Sequence, residues 1–117
     1  MVFLESAEDT VVTAPTQAEI IHTWTQNEPW IEYASMGGIK ACSDGEVMTV
    51  VKNREGEYTV RLMHADGYES IYSGLSDVQL AENDRVIAGE KLGVSKGTAA
   101  FELRQDGMSV LPLFDDL

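Results

Sequence analysis

The residues best able to do chemistry in this sequence are two histidines and a pair of glutamates. His22 and His64 lie far apart, and neither belongs to the H-x-H or H-x-x-x-H spacing that is typical of metal ligands. A catalytic zinc ion needs about three protein ligands and an open position. Glu28 and Glu32 could add carboxylates, but the chain has 20 acidic residues, so such pairs arise easily. Residue types and spacing alone therefore identify no enzyme.

Other catalytic and cofactor motifs are missing from the sequence as well. It has no G-x-S-x-G nucleophile, no G-x-G-x-x-G loop and no Walker phosphate loop. Cys42 is the single cysteine, which excludes an intrachain disulfide, and we expect it to be buried as a small apolar residue. We expect His64 to bond to the backbone of a turn and His22 to be structural. No metal and no cofactor is predicted.

Length and composition narrow the class of protein. The 117 residues predict one domain, and an apolar content of 44% is enough for a core. The formal charge of −12 opposes binding to nucleic acid and to anionic lipid. No apolar run reaches the roughly 18 residues of a membrane span, and the N-terminus lacks the pattern of a signal peptide. We therefore expect no membrane span in this chain, while an anchor elsewhere in the natural protein stays open.

The N-terminal part is predicted to hold the one helix of the chain. Thr16 to Glu19 has the capping-box form, in which the hydroxyl and the carboxylate each bond to a free backbone N–H group. Asn27 to Pro29 would end this helix, because the residue before a proline avoids the helical region. The prediction is a helix over residues 16–27, preceded by a partly disordered segment over residues 1–15.

After this helix the sequence indicates strands and turns. Turn signals recur about every 8 to 12 residues, which is typical of an all-β sandwich or barrel. The clearest hairpin joins strands at Tyr58 to His64 and at Tyr68 to Tyr72, both with alternating apolar residues. Asp66-Gly67 lies between them and tolerates the positive φ angles of a tight turn. We predict a β core over residues 30–114 within a single domain over residues 16–117.

Four blocks of sequence follow one another after residue 30 with regular gaps. They are GIKACSDGEV, HADGYESIYSGL, NDRVIAGEKLGVS and FELRQDGMSVLPL, which begin at Gly38, His64, Asn83 and Phe101. In this order they resemble the blocks of the peptidase family M23 domain, the lysostaphin-type or LytM domain, which in its active form is a zinc endopeptidase that cuts peptidoglycan cross-bridges. The resemblance implies a mostly β fold of the LytM type, an antiparallel β-sandwich or barrel-sandwich, to which the predicted helix is added.

The resemblance also implies that the catalytic residues of the family are missing. Active members hold zinc with an H-x-x-x-D motif and the second histidine of an H-x-H motif, and two further histidines assist the attacking water. Five positions that match these motifs hold other residues here: Glu28 and Glu32 at H-x-x-x-D, Thr98 and Ala100 at H-x-H, and Gly74 at the histidine of Y-A-H-L. Only His64 matches a family histidine, and that histidine is outside the family's catalytic set.

The stretch from Tyr58 to Val78 is similar to degenerate LytM-type domains of sporulation membrane proteins. This likeness implies a catalytically inactive interaction or regulatory module that lies outside the cytoplasmic membrane and is membrane-anchored in the full-length natural protein. Its partner would be another protein, in a membrane-associated complex, and not nucleic acid. The residues expected to line the vacated cleft are Glu28, Glu32, His64, Gly74, Thr98 and Ala100.

Three other functions stay open at this point. The first is an M23 zinc metallopeptidase that acts on cell-wall peptides with altered ligands, Glu28, Glu32 and His64. The second is a sugar-transport phosphocarrier that accepts a phosphoryl group on His64, although such carriers hold a second histidine nearby. The third is a biotinyl or lipoyl carrier, which shares the NDRVIAGEKL type of turn but needs a lysine at a hairpin tip.

Overall fold

The computed structural model describes residues 11–115, which form eleven strands and one short 3-10 helix. In chain order the strands are β1 (Val11–Val12), β2 (Glu19–His22), β3 (Ile31–Ser35), β4 (Gly38–Lys40), β5 (Gly45–Lys52), β6 (Tyr58–Met63), β7 (Tyr68–Ser76), β8 (Arg85–Val86), β9 (Lys91–Gln105), β10 (Met108–Ser109) and β11 (Leu113–Phe114). The 3-10 helix spans Ala65–Gly67. Within these described residues, no helix has the length and apolar character needed to cross a membrane.

Nine of the strands form one sheet, and β9 is its central strand. The order is β2-β3-β9-β7-β6-β5-β8, and β4 and β10 also pair with β9. With 15 residues, β9 is long enough to pair with four other strands. Every pair in this sheet is antiparallel, whereas β1 and β11 form a separate parallel pair. The predicted class, a mostly β antiparallel fold, is therefore confirmed.

The core lies on one face of β7 and β9, because alternate side chains of a strand point to opposite faces. Tyr72 of β7 and Phe101 of β9 are buried, with ring centroids 5.3 Å apart. Leu103 is fully buried two residues further along β9. Their neighbours along the strands, Ser73 after Tyr72 and Ala100 before Phe101, are only partly buried and face outward. The strands that build the core thus also carry a second row of side chains on an outer face.

The hairpin predicted around Asp66-Gly67 is present. Strands β6 and β7 pair in antiparallel register, and the two turn residues have φ angles of 61° and 78°. Val60 and Leu62 of β6 are completely buried, whereas the side chains between them point away from the core. Alternation along the strand and positive φ at the turn were both readable from the sequence.

The predicted helix over residues 16–27 was wrong, because part of this segment is strand β2. The Thr16 hydroxyl accepts a hydrogen bond from the Ala18 N–H at 3.1 Å, which closes a local turn and caps no helix. Ile20 pairs with Tyr33 and is exposed, as is Ile21. Since β-branched residues fit a pleated edge, pairing with β3 outweighs the helical pattern.

The prediction of partial disorder over residues 1–15 falls mostly outside the described residues. Within residues 11–15, Val11 and Val12 pair with Leu113 and Phe114, and Val12 is buried. This short parallel pair brings the two described ends of the chain together.

Candidate functional site

Two adjoining cavities lie on the outer face of the sheet. The larger, of about 690 Å3, is lined by Glu32, Glu55, Gly56, Glu57, Ser73, Gly74, Ser76, Lys96, Gly97, Thr98 and Ala100. The smaller, of about 250 Å3, is lined by Trp30, Ile71, Ser73, Ala100, Phe101 and Glu102. Because Ser73 and Ala100 line both, the two cavities form one continuous depression, which we call the sheet groove.

Four of the six predicted cleft residues line the sheet groove. Glu32 pairs with Ala100 across β3 and β9, and Ala100 also pairs with Ser73 of β7. Thr98 lies two residues before Ala100 on the same strand, and Gly74 follows Ser73. Side chains that face one another across antiparallel strands lie about 5 Å apart. Sheet register therefore brings together residues that are up to 68 positions apart in the sequence.

Gly74 lies at an irregularity of β7, where the register with β9 shifts between Ser73 and Leu75. Its φ is +81°, and a Cβ atom there would lie 2.4 Å from the carbonyl oxygen of Thr98. A bulge with positive φ strongly favours glycine. A side chain at this position, including the histidine of the Y-A-H-L motif, would therefore strain the backbone as it stands in this chain.

Glu28 is outside the sheet groove, in a cluster that holds Trp30 in place. Its carboxylate bonds to Nε2 of His22 at 2.8 Å, and His22 Nδ1 donates to the Trp30 carbonyl at 3.0 Å. The His22 and Trp30 rings stack with centroids 5.0 Å apart. The indole N–H of Trp30 donates to Glu32 at 2.8 Å. His22 and Glu32 thus fix the indole at the end of the groove, a role that the predicted helix could not reveal.

His64 is also outside the sheet groove, beside the opposite, buried face of β7. Its Nδ1 lies 2.7 Å from the Asp44 carbonyl oxygen, and its Nε2 lies 2.7 Å from the Ser70 hydroxyl. A carbonyl only accepts hydrogen bonds, so Nδ1 carries the proton and Nε2 accepts from Ser70. Cys42 Sγ is 3.9 Å from Nε2, and the Cys42 N–H donates to the Tyr72 hydroxyl at 2.9 Å. His64 therefore links three segments of the fold.

The pKa directions agree with these surroundings. The hydrogen bond to Glu28 raises the pKa of His22 above its usual value. Burial lowers the pKa of His64, against a smaller opposing effect of the Asp44 carbonyl. Burial also raises the pKa of the Cys42 thiol, which keeps it protonated. The buried Cys42 and the half-buried His64 thus both favour their neutral forms, and the expectation of a buried cysteine is confirmed.

A mostly antiparallel β domain with this groove and these four sequence blocks belongs to a known class. The sequence model of peptidase family M23 matches residues 31–112, more than half of the chain. The chain therefore belongs to peptidase family M23, as the resemblance indicated.

Curated relatives fall into two groups. The chain is 34% identical to Stage IV sporulation protein FA of Bacillus subtilis over 71% of this chain and 32% of the relative. It is 30% identical to Stage II sporulation protein Q of the same organism, over 64% of this chain and 30% of the relative. It is 33% identical to the DD-carboxypeptidase/endopeptidase Mpg of Neisseria meningitidis, over 80% of this chain and 24% of the relative. The chain spans less than a third of the length of each of these relatives.

Solved structures show the same fold. Helicobacter pylori Csd3 superposes with a TM-score of 0.75 at 17% identity, covering 87% of this chain and 33% of Csd3. A chain of the SpoIIQ-SpoIIIAH pore forming complex gives a TM-score of 0.57 at 20% identity, covering 86% of this chain and 78% of that one. At these identities the likeness concerns the fold alone.

The family implies zinc, but the residues in the sheet groove do not fit this ion. Ala100 offers only a methyl group, Gly74 offers no side chain, and Thr98 offers a neutral hydroxyl. Glu32 is the single carboxylate left at the matched positions in the groove. Zinc in proteins takes nitrogen, sulfur or carboxylate ligands, almost always four in number. Among residues 11–115, no group of three or more His, Cys, Asp or Glu side chains is arranged to hold a metal ion.

Sequence reasoning found the centre of the groove but not its ends. Neither Trp30 nor the two glutamates Glu55 and Glu57 belong to a motif that indicates a site. The turn between β5 and β6 reaches the groove because β6 pairs with β7, and Tyr58 pairs with Leu75 one residue beyond Gly74. That contact depends on strand order, which local patterns do not reveal.

Proposed function

We propose that this chain is a catalytically inactive member of the M23 family that works as a protein-interaction or regulatory module. The observation that carries the proposal is the content of the sheet groove, where Ala100, Gly74 and Thr98 occupy positions that match the family's histidines. The groove keeps its shape without the groups that would bind zinc or move protons. A fold can retain its architecture while its function changes, so the site decides the function and the fold does not.

The alternative of a peptidase with altered ligands requires Glu28, Glu32 and His64 to converge. Glu28 bonds to His22, Glu32 bonds to Trp30, and His64 bonds to Asp44 and Ser70. Each candidate ligand is thus engaged with a different protein group. This arrangement supports the inactive module over the altered peptidase.

The relatives support a place for the module and a kind of partner. Two of them are named as sporulation proteins, and a chain of similar fold is part of the SpoIIQ-SpoIIIAH complex. We take the module to lie outside the cytoplasmic membrane in a sporulation-linked complex, with another protein as its partner. The strongly negative charge agrees with a protein partner, since it opposes the binding of nucleic acid.

The proposal is tested by metal content and by hydrolysis. The purified chain is dialysed against a trace of free zinc, zinc is quantified per mole of protein, and soluble products are measured after incubation with peptidoglycan. We expect zinc far below one ion per chain and no products. Near-stoichiometric zinc, together with products that disappear in Glu32→Ala, would overturn the proposal in favour of the peptidase.

A further inference from the structure

The sheet groove has features that point to a definite kind of occupant. The larger cavity is lined by Glu55 and Glu57 and, on the side next to Trp30, by Glu32, with Lys96 as the single cation in this lining. None of these three glutamates belongs to an ion pair among residues 11–115. Glu55 and Glu57 are exposed, so their charges are available to a partner.

The smaller cavity, at the other end of the groove, has apolar side chains in fixed positions, and its one carboxylate, Glu102, is paired with Arg104. Trp30 and Ile71 line the smaller cavity. The stacked His22 ring and the hydrogen bond to Glu32 fix the position of the indole. A fixed aromatic side chain in a concave site costs little ordering entropy when a ligand binds. This end therefore suits an apolar side chain.

The floor between the two ends is made of small residues. Ser73, Gly74, Gly97, Thr98 and Ala100 leave the sheet surface open along β7 and β9. An extended polypeptide has alternating side chains about 7 Å apart on each face, so it can lie on such a floor and place side chains in both cavities. The shared lining by Ser73 and Ala100 makes the path continuous.

We infer that the sheet groove binds an extended segment of a partner protein that carries basic side chains beside Glu55 and Glu57 and an apolar side chain beside Trp30. The inference rests on the proposed function and names the partner chemistry of the same site. A second copy of this chain is disfavoured as the occupant, since each copy has a formal charge of −12 and like charges at an interface oppose binding. The groove has a small net negative charge, which complements lysine and arginine.

The test measures binding of a defined probe by fluorescence anisotropy. The probe is a fluorescein-labelled eight-residue peptide in which lysine alternates with threonine and one end carries leucine. A second peptide has glutamate in place of each lysine. We expect the basic peptide to bind, more weakly at higher salt because exposed charges are screened, and the acidic peptide not to bind. Replacing the leucine by serine should weaken binding about threefold.

Two charge-reversed variants separate the groove from the general charge of the surface. Glu55→Lys with Glu57→Lys changes the groove, whereas Glu19→Lys with Glu82→Lys makes the same change in net charge at exposed residues outside its lining. We expect the first pair to weaken binding of the basic peptide by about tenfold or more and the second by about twofold at most. NMR shifts on binding should appear at the amides of Ser73, Thr98 and Ala100.

The outcomes distinguish this inference from the proposed function. Equal loss of binding in both variants, or shifts outside the groove, would show unspecific attraction and overturn the inference. A lack of binding by the basic peptide would also overturn it, while the inactive module would stand. Cleavage of cell-wall peptide in the separate assay would instead overturn the proposed function.

Discussion

The polar groups on the two faces of strand β7 have opposite surroundings, buried on one face and open to solvent on the other. On the buried face, Ser70 and Tyr72 bond to His64 and Cys42. On the outer face, Ser73 and Gly74 line the open sheet groove. Buried polar groups that lose their partners cost free energy, whereas groups in contact with water do not. The inner network is therefore tied to folding, and the groove can lose ligands at little cost to stability.

This comparison predicts that side chains of the groove are replaceable and that its backbone at Gly74 is not. Gly74→Ala should lower the free energy of unfolding by about 2–4 kcal/mol, because a Cβ at positive φ would meet a backbone oxygen that cannot move freely. Gly97→Ala is the matched control in the same groove, with nothing within 4 Å of the added Cβ. It should change stability by less than about 0.5 kcal/mol. Urea denaturation measures both variants.

Equal stability of the two glycine variants would contradict this account of the bulge.

The same geometry bears on attempts to restore catalysis. Glu32→Asp and Ala100→His place side chains on facing positions of the groove, and we expect the chain to accept them. Adding Gly74→His should lower the free energy of unfolding at least as much as Gly74→Ala does, because the same Cβ meets the same backbone oxygen.

The buried network gives the next largest effect. His64→Ala should lower the free energy of unfolding by about 1–2 kcal/mol, because the buried Ser70 hydroxyl loses its partner, whereas water can replace the imidazole at the exposed Asp44 carbonyl. His64→Asn should recover part of this loss, since the amide nitrogen of asparagine can stand where Nδ1 donates to Asp44. His22→Ala, at the more exposed histidine, should cost less than His64→Ala. A larger effect at His22 would reverse the assigned roles of the two histidines.

The elements that could be predicted from the sequence are those set by local patterns. Alternation at Val60 and Leu62, with Asp66-Gly67 after them, was enough to place the hairpin and its turn. Strand β2 was missed because a capping-box pattern at Thr16 resembles a helix start. Its true partner, β3, lies beyond Pro29, and pairing at a sheet edge overrides local preference. Long-range pairing, and not propensity, decides such segments.

The candidate site divides in the same way. Glu32, Gly74, Thr98 and Ala100 were found because a family resemblance aligned them, and register then placed them together. The same resemblance predicts His64 in this cleft, but His64 bonds to Ser70. Because side chains alternate along β7, Ser70 and Ser73 lie on opposite faces of the strand. The carbonyl it bonds to belongs to Asp44, twenty residues earlier. No pattern within one strand reveals such a contact.

The smallest predicted effect concerns pH: the contributions of the two histidines to the free energy of unfolding change in opposite directions as pH rises. The raised pKa of His22 means that its contribution to stability is present below pH 6.5, the ordinary histidine value, and is lost as pH rises through the folded pKa. The lowered pKa of His64 means that the unfolded chain binds more protons just below pH 6.5. Its contribution is therefore present above pH 6.5 and is lost as pH falls through the folded pKa.

Proton NMR titration of the two imidazole rings measures both values, and salt separates their causes. The pKa of His22 depends first on the Glu28 carboxylate, with Glu32 adding a smaller attraction. Because this pair is exposed enough to be screened, added salt should move the pKa of His22 down toward 6.5. The pKa of His64 is lowered first by burial, which salt does not change, and only a smaller part of it comes from the Asp44 charge, so it should move much less than the pKa of His22. A shift of the His64 pKa as large as that of His22 would mean that burial does not dominate at His64, and that the two faces of β7 differ less than their hydrogen bonds indicate.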